Sequence, residues 1–274
     1  MAVRSFLSAL LTLVAMAAAV LAVPSLWLDL RIVDQQGFVS MVAPMAENPE
    51  VQEYLADEIA AQATARTDIP IAAPLVRPLA EKYTESEQFR LDFADVAGQQ
   101  HAFLFTEPAP GTDPSVMQLD ISGMINRALG LAGTPNAITE PVVVDLTTGA
   151  SGLEAGSYAR AGEQISLLAR VSAAVAVIAG LAALVFARRQ STVFAWLGLG
   201  VVIAGASTWL IGLFFADRAK QEVADAESSG RKVAGLIIDG MYDDLTRVAV
   251  VVGGAGVAMF VVGVLARLLT AGRR

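Results

Sequence analysis

The sequence predicts a mainly α membrane protein: four transmembrane helices, with a small α+β domain between helices 1 and 2. Three observations carry this. Hydrophobic residues make up 55% of the 274-residue chain, Gly adds 23 more, and the mean hydropathy is +0.56; soluble domains run at about 45–50% apolar with Gly included. Four apolar stretches are each about as long as a bilayer-crossing helix, which needs about 17–25 residues. Finally, apart from Arg170, the arginines outside the acidic segments fall before the first stretch, between the second and third, and after the fourth.

The first stretch, Phe6 to Leu28, has no charge, with Arg4 before it and Asp29 after it. Its length exceeds the usual 7–15-residue core of a signal peptide. Although Val20-Leu21-Ala22 offers a small-residue cleavage site, the further spans favour a retained anchor over 1–28. Pro24 is a potential kink.

Residues 29–164 are long enough for one soluble domain. Asn48-Pro49-Glu50 reads as a helix start, with Asn48 as the cap and Pro49 at the first position. Val51, Tyr54, Leu55, Ile59 and Ala63 then recur at helical spacing. Pro70 and Pro74 interrupt, Leu75 to Tyr83 forms a second helix, and Thr84-Glu85-Ser86-Glu87 starts a third that turns Phe89, Phe93 and Val96 inward. The period then changes. Ala102 to Thr106 and Val116 to Ile121 suit a hairpin around the Glu107-Pro108-Ala109-Pro110-Gly111 turn. Ile121 to Leu131 reads as a short helix, and Pro141 to Leu146 as a third strand. Residues 149–162 form a flexible approach to the membrane or the start of a long helix.

Residues 165–274 form a three-helix transmembrane block. The spans are Ile165 to Ala187, Thr192 to Ala216 and Val248 to Leu265. Arg170 lies near the outer end of the first, where it can snorkel, and Trp196 and Trp209 sit toward the two ends of the second, as interfacial tryptophans do. The outer loop 217–247 is expected to hold two short helices, 219–226 and 233–245. The turn Arg188-Arg189-Gln190-Ser191 is the pivot. Two adjacent arginines cannot rest in hydrocarbon, and basic short connections stay cytoplasmic. Arg4, Arg188, Arg189, Arg267, Arg273 and Arg274 are therefore the topology determinants. An even number of spans puts both termini in the cytoplasm and 29–164 outside, in a bacterial plasma membrane.

The net charge of −8 is unevenly spread. Residues 29–163 hold 20 acids and 7 bases, segment 217–247 holds 7 acids and 5 bases, and the remainder carries 7 arginines and no acid. An acidic exterior repels nucleic acid phosphate, which leaves the lipid bilayer and another membrane or envelope protein as the expected partners. With no Cys and a single His, thiolate chemistry and multi-His metal sites are excluded within one chain.

The spans contain no Asp, Glu, Lys or His, which weighs against ion-coupled transport. Small residues recur four apart: Ser172, Ala176 and Gly180, then Gly200, Ala204 and Thr208, then Gly254 and Ala258. Such faces let helices approach closely, here within the four-helix unit, with docking onto another membrane protein as the sharper alternative. His101 is the weak candidate for ligand binding or acid–base work, weighed against a histidine bonded to backbone. Glu50, Glu53 and Asp57 share a helix face, which reads as solvated because no calcium-loop pattern accompanies it. Asp92, Asp95, Asp120 and Asp145 are candidate paired carboxylates, weighed against Asp120 and Asp145 as caps or turns at strand ends. No Gly-x-Ser-x-Gly turn or phosphate-cradling glycine loop stands outside the spans. No catalytic residue, metal ligand or cofactor is assigned.

Val42-Ala43-Pro44-Met45-Ala46-Glu47-Asn48-Pro49-Glu50-Val51-Gln52, the run from Phe89 through His101, and Leu119-Asp120-Ile121 together resemble a family of actinobacterial integral membrane proteins. These have an N-terminal anchor, a helical extracytoplasmic domain and three C-terminal transmembrane helices. Phe93 and Gly98-Gln99 stand where members often carry Trp and Asn-Arg. The resemblance implies a topology and no reaction. The expected function is non-catalytic: an envelope protein, or accessory subunit of a membrane complex, whose outer domain binds a partner. The alternative is a protein that handles lipids or envelope precursors; an enzyme using His101 or a carboxylate pair is the third reading.

Overall fold

The computed structural model describes residues 2–66, 73–120, 124, 143–147, 154–222 and 228–271. In chain order these form α1 (Ala2–Leu28), a π-helical turn (Asp29–Val33), α2 (Gln35–Val42), a 3-10 turn (Ala43–Glu47), α3 (Pro49–Arg66), α4 (Ala73–Thr84) and α5 (Glu87–Phe105). Strands β1 (Val116–Asp120) and β2 (Val143–Thr147) follow, then α6 (Ala159–Phe186), α7 (Gln190–Glu222) and α8 (Ser228–Ala271). The chain divides into two compact units: Met1–Leu30 with Glu163–Glu222 and Ile238–Arg274, and Arg31–Gly162 with Val223–Ile237.

Among the described residues, four helical stretches are long and apolar enough to cross a membrane: Arg4–Val33, Ala159–Phe186, Gln190–Gln221 and Ala234–Leu269. Their outward faces carry large apolar side chains, such as Leu13, Ile178, Phe214 and Val250, each more than three-fifths exposed. Water would penalise such a surface and lipid does not. In the first unit, Ser8 Oγ donates to the Ala183 carbonyl (3.0 Å), and Ser166 Oγ donates to Asp29 Oδ1. These contacts run α1 and α6 antiparallel. Trp27 Nε1 donates to Asp244 Oδ2 at 2.9 Å, joining α1 to α8.

Between α7 and α8 the helices pack backbone against backbone. A Cβ on Gly198 would sit 2.5 Å from Phe260 N, one on Gly256 2.6 Å from Val202 N, and one on Gly263 2.6 Å from Ala195 N. Only a hydrogen at Cα lets the two backbones approach this closely. Gly198, Gly205 and Gly212 on α7 meet Gly256, Ala249 and Leu245 on α8, and Gly263 meets Ala195; the α7 glycines recur every seven residues rather than every four. Seven residues nearly complete two helical turns, so the repeat keeps one stripe facing its partner. Gly254 and Ala258 lie off this stripe. Both are exposed, and a Cβ on Gly254 would meet nothing, because two residues before Gly256 is about 200° around the helix. Ser172, Gly180, Gly200 and Ala204 are buried and Ala176 is half-buried, with Gly200 facing Met16 of α1.

The expected pair of short helices in 217–247 gives way to longer elements. α7 continues to Glu222, and α8 runs unbroken from Ser228 through the last span. The end of an apolar run marks departure from hydrocarbon, not the end of a helix, and neither Asp217 to Glu222 nor Arg231 to Arg247 contains proline.

The second unit is helical, with one antiparallel two-stranded ribbon in the register Val116↔Thr147 to Asp120↔Val143. Asn48 Oδ1 accepts from Glu50 N (2.9 Å) at the start of α3, and Ser86 Oγ accepts from Phe89 N (3.3 Å) at the start of α5. Ala46, Tyr83 and Phe89 form the buried centre, with Leu55, Ile59, Phe93 and Met124 around them. The expected hairpin is overturned. Ala102 to Phe105 is the last turn of α5, closed by Thr106 N on the Ala102 carbonyl (2.9 Å), and β1 pairs with β2. The expected short helix Ile121 to Leu131 lies outside the described residues apart from Met124. The approach to α6 is pinned. Gly156 N and Tyr158 N donate to the Phe103 and Leu104 carbonyls (2.8 and 2.9 Å). Gly156 has φ +71°, and a Cβ there would sit 3.0 Å from Pro108 Cδ, so this turn requires glycine.

Candidate functional site

His101 lies on α5, one turn before Phe105, and is only 5% exposed. Its Nε2 is 2.8 Å from the Ile32 carbonyl in the π-helical turn. A carbonyl only accepts, so Nε2 carries the proton and donates. Phe105 stacks on the ring at 4.5 Å and 8°, and Phe38 leans against it at 5.2 Å. The end of a helical turn leaves carbonyls without intrahelical partners, and the imidazole satisfies one of them. The ring joins α2, α5 and the π turn, with one nitrogen committed to backbone and the ring packed between aromatics.

Asp92 is treated similarly. It is 1% exposed and accepts from Tyr83 Oη at 2.6 Å. Asp95 and Asp120 do not form an acid pair. Gln99 Nε2 reaches Asp95 Oδ2 and the Asp120 carbonyl, and Gln99 Oε1 accepts from Asp120 N. Glu50, Glu53 and Asp57 are exposed; Asp57 pairs with Arg77 at 2.9 Å, and Glu47 with Arg90. Asp113 accepts from the hydroxyl and the N–H of Ser115, which hold its carboxyl below the ordinary carboxylate value. Among the described residues no cluster of His, Asp and Glu is arranged to hold a metal ion.

The first unit segregates its charge. Its carboxylates (Asp29, Glu163, Asp217, Glu222 and the group at 239–244) stand at one end of the antiparallel helices. Arg4, Arg188, Arg189 and Arg267 stand, exposed, at the other. Arg273 and Arg274 lie outside the described residues. At the arginine end a groove of about 640 Å³ opens between the first four turns of α1 and the start of α7. Ala9, Leu13, Met16, Val193 and Trp196 form its apolar walls, and Arg188, Arg189 and Arg267 its rim. Thr192, on its wall, has a buried hydroxyl with no hydrogen-bond partner among the described residues. A second cavity of about 420 Å³ opens on the far side of the α7 start, between Leu184, Phe194 and Val262, and no charged residue lines it.

The groove draws on three distant stretches of chain, so no local motif announces it. The one hint in the sequence is the spacing of Ser5, Ser8 and Thr12, which puts a polar stripe on one face of an otherwise apolar helix.

Four helices of this length and hydropathy put the chain in the class of multi-pass membrane proteins. No protein-family model matches the sequence, and neither does any curated protein or solved structure.

Proposed function

We propose that this is a non-catalytic multi-pass protein of a bacterial plasma membrane, with both termini in the cytoplasm, whose segment 29–164 stands outside and binds a partner protein in the cell envelope. The observation that carries the reading is that the residues suited to chemistry in the second unit are tied up internally. His101 holds a backbone carbonyl, Asp92 accepts from a tyrosine, and Asp95 accepts from a glutamine. The exposed remainder is a strongly acidic surface, with 20 acids to 7 bases over residues 29–163, which suits a basic protein face. The α+β character of the segment rests on the β1–β2 ribbon. The arginine-only end of the first unit supports the cytoplasmic placement, and the resemblance of residues 42–52 and 89–101 to actinobacterial integral membrane proteins agrees with this topology.

Purification in mild detergent, followed by mass spectrometry, tests this. A protein partner should co-purify in stoichiometric amount at low salt. It should be released near 1 M salt, where screening falls to about 3 Å. Co-purifying lipid with no protein would overturn the reading in favour of lipid or precursor handling.

A further inference from the structure

We infer that the groove at the arginine end of the first unit is a binding site for an anionic phospholipid of the bilayer. Its phosphate would lie on Arg188 and Arg189, and an acyl chain would run along Leu13, Met16 and Trp196.

Charge complementarity supports this. Residues 1–28, 164–216 and 245–274 contain no Asp or Glu. No side-chain carboxylate stands on these helices near the rim, and Arg188 and Arg189 are both exposed. Two adjacent guanidinium groups thus line the groove with no side-chain carboxylate on the same stretches of chain. Guanidinium groups bind phosphate through paired, charge-assisted hydrogen bonds. They sit where the start of α7, the positive end of a 33-residue helix, adds to the same field.

The shape fits the same ligand. From Arg189 to Trp196 is seven residues of helix, about 10 Å along the axis. The groove thus passes from a charged rim to an apolar floor over roughly the depth that separates a lipid phosphate from its upper methylenes. Its volume of about 640 Å³ holds a headgroup with part of one chain. A zwitterionic lipid offers the same chain and phosphate but adds a cation that the rim repels. Anionic lipid is therefore the preferred occupant. Nothing in the site depends on which way the bundle faces, or on what the second unit binds.

Native mass spectrometry of the full chain in mild detergent tests the proposal, with dioleoyl phosphatidylglycerol and dioleoyl phosphatidylcholine added at matched concentrations. Phosphatidylglycerol should bind roughly tenfold more tightly, the scale on which one or two basic residues distinguish a lipid of net negative charge from a zwitterionic one. Arg188→Gln with Arg189→Gln should bring the two affinities to within about twofold. The same charge change at the carboxylate end, Arg170→Gln with Arg247→Gln, should leave the preference intact. Trp196→Ala should weaken both lipids together, and melting temperatures measured in phosphatidylcholine would show that each variant is folded. Equal binding of the two lipids by the unmodified chain would overturn the proposal, and so would loss of the preference in the control pair. Displacement of phosphatidylglycerol by millimolar glycerol phosphate would also overturn it, since the site would then take a soluble anion.

Discussion

At the scale of single residues, the second unit is held by two buried polar side chains that the rest of the fold keeps from water. His101→Ala removes a stacked ring and the donor to the Ile32 carbonyl. A cavity beside an unsatisfied carbonyl is expected to cost about 2–4 kcal/mol, read as a lower midpoint in denaturant by near-ultraviolet circular dichroism. Any loss of partner binding should track the loss of folded protein; full abundance with abolished binding would instead make His101 a ligand contact. Tyr83→Phe should cost about 1–3 kcal/mol, the range for leaving a buried polar group without its partner, because it withdraws a donor from Asp92. The effect should shrink to a few tenths of a kcal/mol in an Asp92→Ala background, which a double-mutant cycle measures. An undiminished cost there would mean that Tyr83 acts through its packing against Phe89 alone.

At the scale of elements, glycine decides how closely α7 and α8 pack. Gly256→Ala places a methyl 2.6 Å from Val202 N and 2.8 Å from the Gly198 carbonyl, whereas Gly254→Ala points into open space. Thermal unfolding in detergent should show a clear loss for Gly256→Ala and no loss for Gly254→Ala. The reverse order would mean that the seam runs along the other face. The same comparison shows which parts of the fold were legible in the sequence. Helix starts were, because Asn48-Pro49 and Ser86 act through bonds to residues two or three positions away. The four spans were, because length and hydropathy are properties of a continuous run. The end of α5 was not. Ala102 to Phe105 has the composition of a strand, and a helix is held there by stacking of Phe105 on His101, whose ring bonds back to Ile32 far earlier in the chain. Nor was the glycine seam, since a search at a spacing of four passes over a repeat of seven. The basic groove stayed hidden for a related reason: residues 5–16, 187–196 and 267 meet only once the bundle has formed.

At the scale of the whole molecule, the separation of arginines from carboxylates is the feature from which orientation follows. Four exposed arginines at one end of the first unit, with no acid among residues 1–28, 164–216 and 245–274, give a charge bias of the kind that keeps short loops in the cytoplasm. The chain contains no cysteine, so a single introduced thiol reports on one position without a background. Thr112 and Gln190 are both exposed, one in the turn before β1 and the other at the start of α7 beside Arg189. A membrane-impermeant maleimide should label Thr112→Cys in intact cells and Gln190→Cys only after lysis. Labelling of Gln190→Cys in intact cells, with Thr112→Cys protected until lysis, would invert the topology. It would place the acidic segment in the cytoplasm and move the search for its partner to that side, while leaving the lipid groove and its phosphatidylglycerol preference where they are.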